Sequence, residues 1–293
     1  MHALPPELEI AHYRAENLDL CHASDEDLRL HYVKQGKSEG RKANRLSNRN
    51  DFVSLIDPAS QVLEIGPFDC PQLTGPNVFY ADILGQDDMK QRARMTNRNP
   101  ETVPFINYVL SSTPLGSINN DFDAVLSSHA IEHQPDLVKH LQDIHRLLKN
   151  RSGRYFLLIP DKRYCFDRFI SESSIAEIIE AHFTHRKGHG IKSVIEHRAL
   201  TTHNDPMLHW MTPLDIKKSA DPERVRRAIK EWEDANGEYI DVHAWFFTPD
   251  SFAQNISVLA ELGLINLEVE YLYPTRYGSN EFWVVLRSNR SQS

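Results

Sequence analysis

The chain has 293 residues, a formal net charge of −8 and 40% hydrophobic residues, which is ordinary for a globular enzyme with one large domain and room for attachments. The acidic balance lacks the basic footprint needed to bind a nucleic-acid backbone, and Cys21, Cys70 and Cys165 form no CxxC pair, so neither a nucleic-acid partner nor a disulfide framework or thiolate zinc site is expected. No basic run precedes an apolar stretch in residues 1–10 and no run of 18 apolar residues occurs, so a signal peptide and a membrane span are not expected, and the cytoplasm is the expected location.

Residues 1–45 read as a small helical module. Tyr13 to Leu20 and Asp27 to Tyr32 have helical patterning, with Leu20, Leu28, Tyr32 and Val33 as the expected apolar faces. Gly36 and Gly40 allow a tight exit. About forty residues bury little core, so the module is expected to dock on its neighbour. The order Tyr, Asn-x-Asp, His-Tyr, Gly, Glu-Gly-Arg across Tyr13 to Arg41 resembles a helical module attached to bacterial glycosyltransferases and other enzymes of surface-polysaccharide assembly. The resemblance implies a glycan setting, with a glycosyltransferase or a second copy of the chain as candidate partner.

From residue 46 to about 160, apolar strand candidates alternate with helical segments. The strands are Gln61 to Ile65, Asn77 to Ala81, Ile106 to Leu110, Phe122 to Ser127 and Tyr155 to Ile159, the last ended by Pro160. Between the fourth and fifth, Leu137, Leu141, Ile144, Leu147 and Leu148 recur at spacings of three and four, the mark of an amphipathic helix. Near-continuous apolar strands separated by helices predict a parallel sheet covered on both faces.

The stretch from about 161 to 247 is rich in charge and histidine, and holds seven of the fifteen histidines between His182 and His243. It follows the fifth strand, where a helical insertion would cap a ligand site. Its densest chemistry is Glu196-His197, His203-Asn-Asp205, His209-Trp210 and Asp241-Val-His243-Ala-Trp245. Residues Asp221 to Asn236 read as a solvated helix with internal charge pairs. Beyond it, Pro249 to Leu262 reads as a helix stopped by Gly263. The strand candidates Leu267 to Leu272 and Glu281 to Leu286 are linked too briefly for a parallel crossover, so they are expected to form an antiparallel hairpin.

Val62-Leu-Glu64-Ile-Gly66-Pro67-Phe-Asp69 puts a carboxylate late in the first strand and a glycine just beyond it. Ligands of open parallel sheets bind outside the carboxyl ends of the strands, and Gly66 lets a backbone approach closely. Asp82 follows the second strand, where an acid can accept hydrogen bonds from both ribose hydroxyls. A dinucleotide site wants GxGxxG; here Pro67, Phe68 and Asp69 follow Gly66, which disfavours a nicotinamide enzyme and suits a cationic nucleoside cofactor.

The run Val62 to Gly66, Tyr80-Ala-Asp82, Phe122 to His133 with its His129-Ala-Ile-Glu-His133 element, Leu147-Leu-Lys and Gly153 to Pro160 resembles class I methyltransferases over roughly residues 50–160 and the C-terminal hairpin. The resemblance implies an α/β fold: a doubly wound, mostly parallel, Rossmann-like seven-stranded sheet with an antiparallel C-terminal hairpin, in a domain spanning 46–293. It implies S-adenosylmethionine as cofactor, with Glu64, Gly66 and Pro67 at its methionine part, Asp82 and Ile83 at the ribose, and Ser128 and His129 flanking it. The first loop departs from the family pattern, which carries two or three glycines there.

Methyl transfer to a hydroxyl needs a group to take the proton, and a His or carboxylate can do so. The candidates are His133, His203, Asp205 and His243. A divalent metal held by His and Asp is an alternative that no specific motif supports. Trp210 or Trp245 offers an apolar platform for a sugar ring. The expected function is O-methylation of a sugar hydroxyl of a bacterial cell-surface glycan or its precursor; the alternative is a non-catalytic, methyltransferase-like docking subunit of a glycan-assembly complex.

Overall fold

The computed structural model describes residues 4–149, 152–213 and 219–289. Residues 1–3 of the N-terminal module, 214–218 of the insertion and 290–293 lie outside the described residues.

Seven strands form one sheet in the order β3-β2-β1-β4-β5-β7-β6: β1 Val62–Ile65, β2 Val78–Asp82, β3 Tyr108–Val109, β4 Ala124–Ser128, β5 Arg154–Pro160, β6 Leu267–Tyr273 and β7 Glu281–Ser288. The first five run parallel; β7 inserts antiparallel beside β5 and pairs antiparallel with β6. The chain order reverses between β1 and β4, the switch point at which a crevice opens over the strand ends. The strands lie where the sequence places them, with ends that differ by one or two residues. Strand β3 is an edge strand of only two residues. Pro160 belongs to β5, opposite Glu281 and past the last β4 pair, so on that side its missing N–H breaks no ladder bond.

Ten α-helices surround the sheet. They are α1 Ile10–Glu16, α2 Asp25–His31, α3 Arg49–Val53, α4 Gln86–Met95, α5 Leu137–Leu147, α6 Ile175–Phe183, α7 Ile191–Leu200, α8 Pro206–Met211, α9 Pro222–Ala235 and α10 Pro249–Glu261 among the described residues. Local chemistry sets their starts. Asn48 with Asp51, Ser174 with Glu177 and Thr248 with Ser251 form reciprocal caps, and Pro249 opens α10 where no N–H is needed. The apolar face of α5 and that of α10 pack on one side of the sheet, against Leu63, Tyr155, Phe282 and their neighbours. Phe52 and Val53 of α3 cover the other side, with Phe52 stacked 5.5 Å from Trp283.

Helices α6 to α9 are the insertion. It leaves the sheet at Asp161 and returns at Phe247, which form a bridge, with the Lys162 N–H donating to the Phe247 carbonyl (2.9 Å). Helices α7 and α9 close around Val194, Ala228, Ile240 and Val242. Buried Arg168 donates to the carbonyls of His209, Thr212 and Pro213 and so holds α8 in place.

The N-terminal module has its own small core of Tyr13, Leu28, Tyr32 and Ala43. Val33, expected on the apolar face, is 68% exposed, because a π-helical turn, Tyr32–Gly36, follows α2 and carries it outward. Gly36 is required by packing: a Cβ there would lie 2.1 Å from Tyr13 Oη. The module docks on the turn between β6 and β7. Tyr277 N–H donates to the Gly40 carbonyl (3.0 Å), Arg276 to Asn44 Oδ1 (2.8 Å), and Tyr273 to the Pro5 carbonyl (2.7 Å).

Gly40 has φ +65°, and a Cβ there would sit 2.3 Å from Tyr277 N. Gly40→Ala is therefore expected to destabilise the protein by about 2 kcal/mol or more and to speed cleavage within residues 4–45. Urea unfolding and limited proteolysis read the two effects.

Candidate functional site

A cavity of about 490 Å³ lies over the carboxyl ends of β1, β2 and β4. Ile65, Gly66, Phe68, Asp82, Ile83, Leu84 and Leu110 line one part; His129, His133, Gln134, Tyr239 and Asp241 line another. No helix among the described residues is long and apolar enough to cross a membrane.

On the first wall, Gly66 has φ +73°, and a Cβ there would crowd Ala130 at 3.1 Å. Its N–H donates to the Ala81 carbonyl (2.9 Å), tying the end of β1 to β2. Glu64 is buried and its carboxylate accepts from the N–H groups of Gln72 (2.7 Å) and Leu73 (3.1 Å). Burial pushes Glu64 up to about 7, against the pull of those two donors. Glu64 thus fixes the loop from 66 to 73 from below; it does not line the cavity, and neither do Pro67 and Ser128. The loop swings Phe68 into the cavity at φ +44°, under the guanidinium groups of Arg92 and Arg98, which lie 5.6 and 5.5 Å from the ring centroid. Asp69 pairs with Arg98 (2.7 Å), so the negative charge expected from this loop is neutralised outside the cavity. The acid that does line this wall is Asp82. Burial raises its pKa, against the neighbouring N–H groups of Leu84, Ile83 and Phe68.

The second wall comes from the loop after β4 and from residues 239–243. His129 takes a left-handed conformation, φ +51°, and its Nε2 lies 2.8 Å from Glu281 Oε2. Arg49 and Trp283 also donate to Glu281. Burial would raise the Glu281 carboxyl, but His129 and Arg49 prevail and hold it at about 2. The turn Ile131–His133 follows, and the Glu132 carbonyl accepts the N–H groups of Ala244 (2.7 Å) and Trp245 (3.2 Å). That pairing sets the His243 ring edge-on to His133, with centroids 4.6 Å apart. His133 Nδ1 lies 3.2 Å from Asp241 Oδ1, and Asp241 also pairs with Arg92. Burial opposes protonation of His133, yet the carboxylate of Asp241 beside it raises its pKa; Asp241 in turn falls well below the carboxylate range. His243 is buried, with Nδ1 2.6 Å from Asp167 Oδ2.

The structure therefore brings Gly66, Asp82, Ile83, His129 and His133 together on one cavity, with His243 directly behind His133. His203 and Asp205 are placed elsewhere. Both are exposed; Asp205 caps α8 by accepting from the Leu208 N–H (3.1 Å), and His203 stacks on His209. The two tryptophans expected to offer a sugar platform are committed to packing. Trp210 stacks on Tyr164 at 3.7 Å and donates to the Ser279 carbonyl, and Trp245 is buried with its Nε1 on the Gln134 carbonyl (2.6 Å). The aromatic side chains that do line the cavity are Phe68 and Tyr239. One signal for Asp241 stands in the sequence: it lies two residues before His243, across the apolar Val242, a spacing that puts both side chains on one side wherever the chain is extended.

Residues 71–156, from the loop after β1 into β5, match the family model described as a methyltransferase domain. That stretch of the chain is similar to a methyltransferase domain. No curated protein sequence matches the chain. Among solved structures, the CcbJ methyltransferase from Streptomyces caelestis is similar at 10% identity and TM-score 0.38, over 82% of this chain and 93% of that one. An S-adenosylmethionine-dependent methyltransferase from Clostridium acetobutylicum aligns at 8% identity and TM-score 0.40, over 90% and 98%. A protein from Rhodobacter sphaeroides described as a putative zinc-dependent alcohol dehydrogenase aligns at 15% identity and TM-score 0.43, over 86% and 92%.

The ionised Glu281 stabilises the fold above its unfolded pKa, and that contribution is lost as pH falls from about 4.5 toward 2. Glu281→Gln is expected to cost about 3 kcal/mol at pH 7, with the gap to wild type closing below pH 4.5. Urea unfolding at a series of pH values checks the sign; a gap independent of pH would contradict it.

Proposed function

We propose that this enzyme methylates a sugar hydroxyl of a bacterial cell-surface glycan or its precursor. The carrying observation is the unlike character of the two cavity walls: a glycine-opened, largely apolar wall with one half-buried acid, facing a wall of histidine, tyrosine and paired aspartate.

The first wall suits the cofactor. The open backbone at Gly66 admits its amino-acid part, Asp82 accepts hydrogen bonds from the ribose hydroxyls, and Ile83, Leu84 and Leu110 offer apolar surface to the base. Glu64 and Pro67 shape the loop beneath it, and Ser128 with His129 ends the neighbouring strand. Bound S-adenosylmethionine supplies a methyl group made electrophilic by a positively charged sulfur. The second wall suits an acceptor that is polar and ring-shaped. Tyr239 gives a face for the ring, and the His133–Asp241 pair takes the hydroxyl proton as the oxygen becomes a nucleophile. His243 holds the His133 ring in place, and exposed His203 and Asp205 have no part in this reading. The sugar setting also draws on the resemblance of residues 1–45 to modules of polysaccharide-assembly enzymes; in this reading the module docks a glycosyltransferase or a second copy.

Titration calorimetry with S-adenosylmethionine is expected to show binding to wild type and a loss of about 10- to 100-fold in Asp82→Ala, the cost of two lost hydrogen bonds to an ionised group. Asp241→Asn is expected to lower kcat by about 100-fold with cofactor affinity unchanged. Surface glycan from cells lacking the protein should be lighter by about 14 mass units, one CH2, per modified residue. Absence of cofactor binding at millimolar concentration, or an unchanged glycan mass, overturns the reading.

A further inference from the structure

Glu132 is the anomaly of the second wall. Its side chain is fully buried, and neither carboxylate oxygen has a hydrogen-bond partner among the described residues. A buried carboxylate without a partner is expensive, and such groups are normally paired, hydrogen-bonded or bound to a cation. The groups nearest to it are imidazoles standing just beyond bonding reach: His243 Nε2 at 3.8 Å and His129 Nδ1 at 3.9 Å from Oε1. One ligand atom each from Glu132, His133 and His243 lies within 4.8 Å of the others.

We propose that Glu132, His133 and His243 bind a divalent cation at the wall of the cavity. Two ligands of one tetrahedral ion, each about 2.1 Å from it, stand about 3.4 Å apart, so the separation of Glu132 and His243 is a few tenths of an ångström from that of a shared ion. Drawing in His133 takes about 1.4 Å at most. The surroundings are those of a metal-binding histidine. A ligating imidazole gives its second nitrogen to a carboxylate, which fixes the tautomer and aims the ring. His243 Nδ1 sits 2.6 Å from Asp167 Oδ2, and that bond points Nε2 at Glu132. Asp167 is itself buried, and its other oxygen, Oδ1, has no partner among the described residues. Two imidazoles and one carboxylate suit Mn²⁺, Fe²⁺, Co²⁺ or Zn²⁺ rather than Mg²⁺ or Ca²⁺, which prefer oxygen throughout. Hydrogen bonding among the three side chains does not account for the arrangement, because no pair of them is in hydrogen-bond range.

This deepens the proposed function, and one part of it rests on that reading: His133 lines the cavity, so the cation stands where the acceptor enters, and with His133 a ligand, Asp241 is the member of the pair left to take the proton. Binding of the cation does not rest on it.

The test uses the full chain, freed of metal by dialysis against a chelator and then titrated with Mn²⁺, the free ion being followed by its paramagnetic resonance signal. Zn²⁺ is added afterwards as competitor. The expected result is one Mn²⁺ per chain, displaced by Zn²⁺, with Glu132→Gln and His243→Ala each weakening binding by about 10- to 100-fold and Asp167→Asn by about tenfold. His203→Ala is expected to bind as wild type. Circular dichroism confirms that each variant is folded, and Glu132→Gln keeps the shape while removing the charge, so a packing defect in His243→Ala does not decide the outcome. No binding at millimolar Mn²⁺ or Zn²⁺, or binding that Glu132→Gln leaves unchanged, overturns the site. Calorimetry with S-adenosylmethionine on the same metal-free protein separates the two readings: Mn²⁺ binding without cofactor binding sinks the methyl-transfer reading alone, and cofactor binding without Mn²⁺ sinks the cation site alone.

Discussion

One backbone oxygen, the carbonyl of Glu132, accepts the N–H groups of both Ala244 and Trp245. It joins two parts of the chain more than a hundred residues apart: the loop that leaves β4 and the segment that brings the insertion back to the sheet. Because both partners are backbone groups, the joint is independent of which side chains flank it. Once made, it fixes His133 against His243 and places Asp241 on the cavity. With the Asp161–Phe247 bridge and the Trp245 bond to the Gln134 carbonyl, it holds the returning end of the insertion against the sheet and sets the second wall relative to the first.

The two walls are built on different principles. The first wall rests on the sheet, where strand register sets positions to within a residue and Glu64 stiffens the loop after β1. Two hydrogen bonds from backbone donors to the buried Glu64 carboxylate keep that loop in place without extra glycines, so a chain lacking the usual glycine run still makes the turn. The second wall rests on loops and on pairs of charged side chains, Arg92 with Asp241 and Arg49 with Glu281, that span distant elements. Loops on a rigid scaffold are where binding specificity is free to vary.

That difference decides how much was legible in the sequence. The sheet, its antiparallel hairpin, the apolar stripe of α5 and the cavity positions of Gly66 and Asp82 follow from local periodicity and from the rule that ligands sit at strand ends. Side-chain partnerships are non-local and left no such trace. Asp69 looked like charge for the cofactor because Arg98, twenty-nine residues on, is invisible to a local reading. Trp210 looked available because nothing nearby announces Tyr164. His203 and Asp205 were drawn together by spacing, yet that spacing serves a helix cap. Glu132 stood in plain view between His129 and His133, but only burial without a partner sets it apart from any other loop acid.

The attachment of the N-terminal module has a consequence for how the molecule is put together. Gly40, Asn44 and Pro5 hold the turn and strand end at 273–277, and β7 begins four residues later at Glu281, the carboxylate that seats His129 in the cavity. The module is thus mortised into the same hairpin that carries one side of the cavity's frame. A domain joined by a flexible tether can be exchanged for another like a fitting on a hose. This one is nearer to a keystone: replacing it means recutting the stones it rests on, so module and cavity are expected to change over generations as one inherited unit.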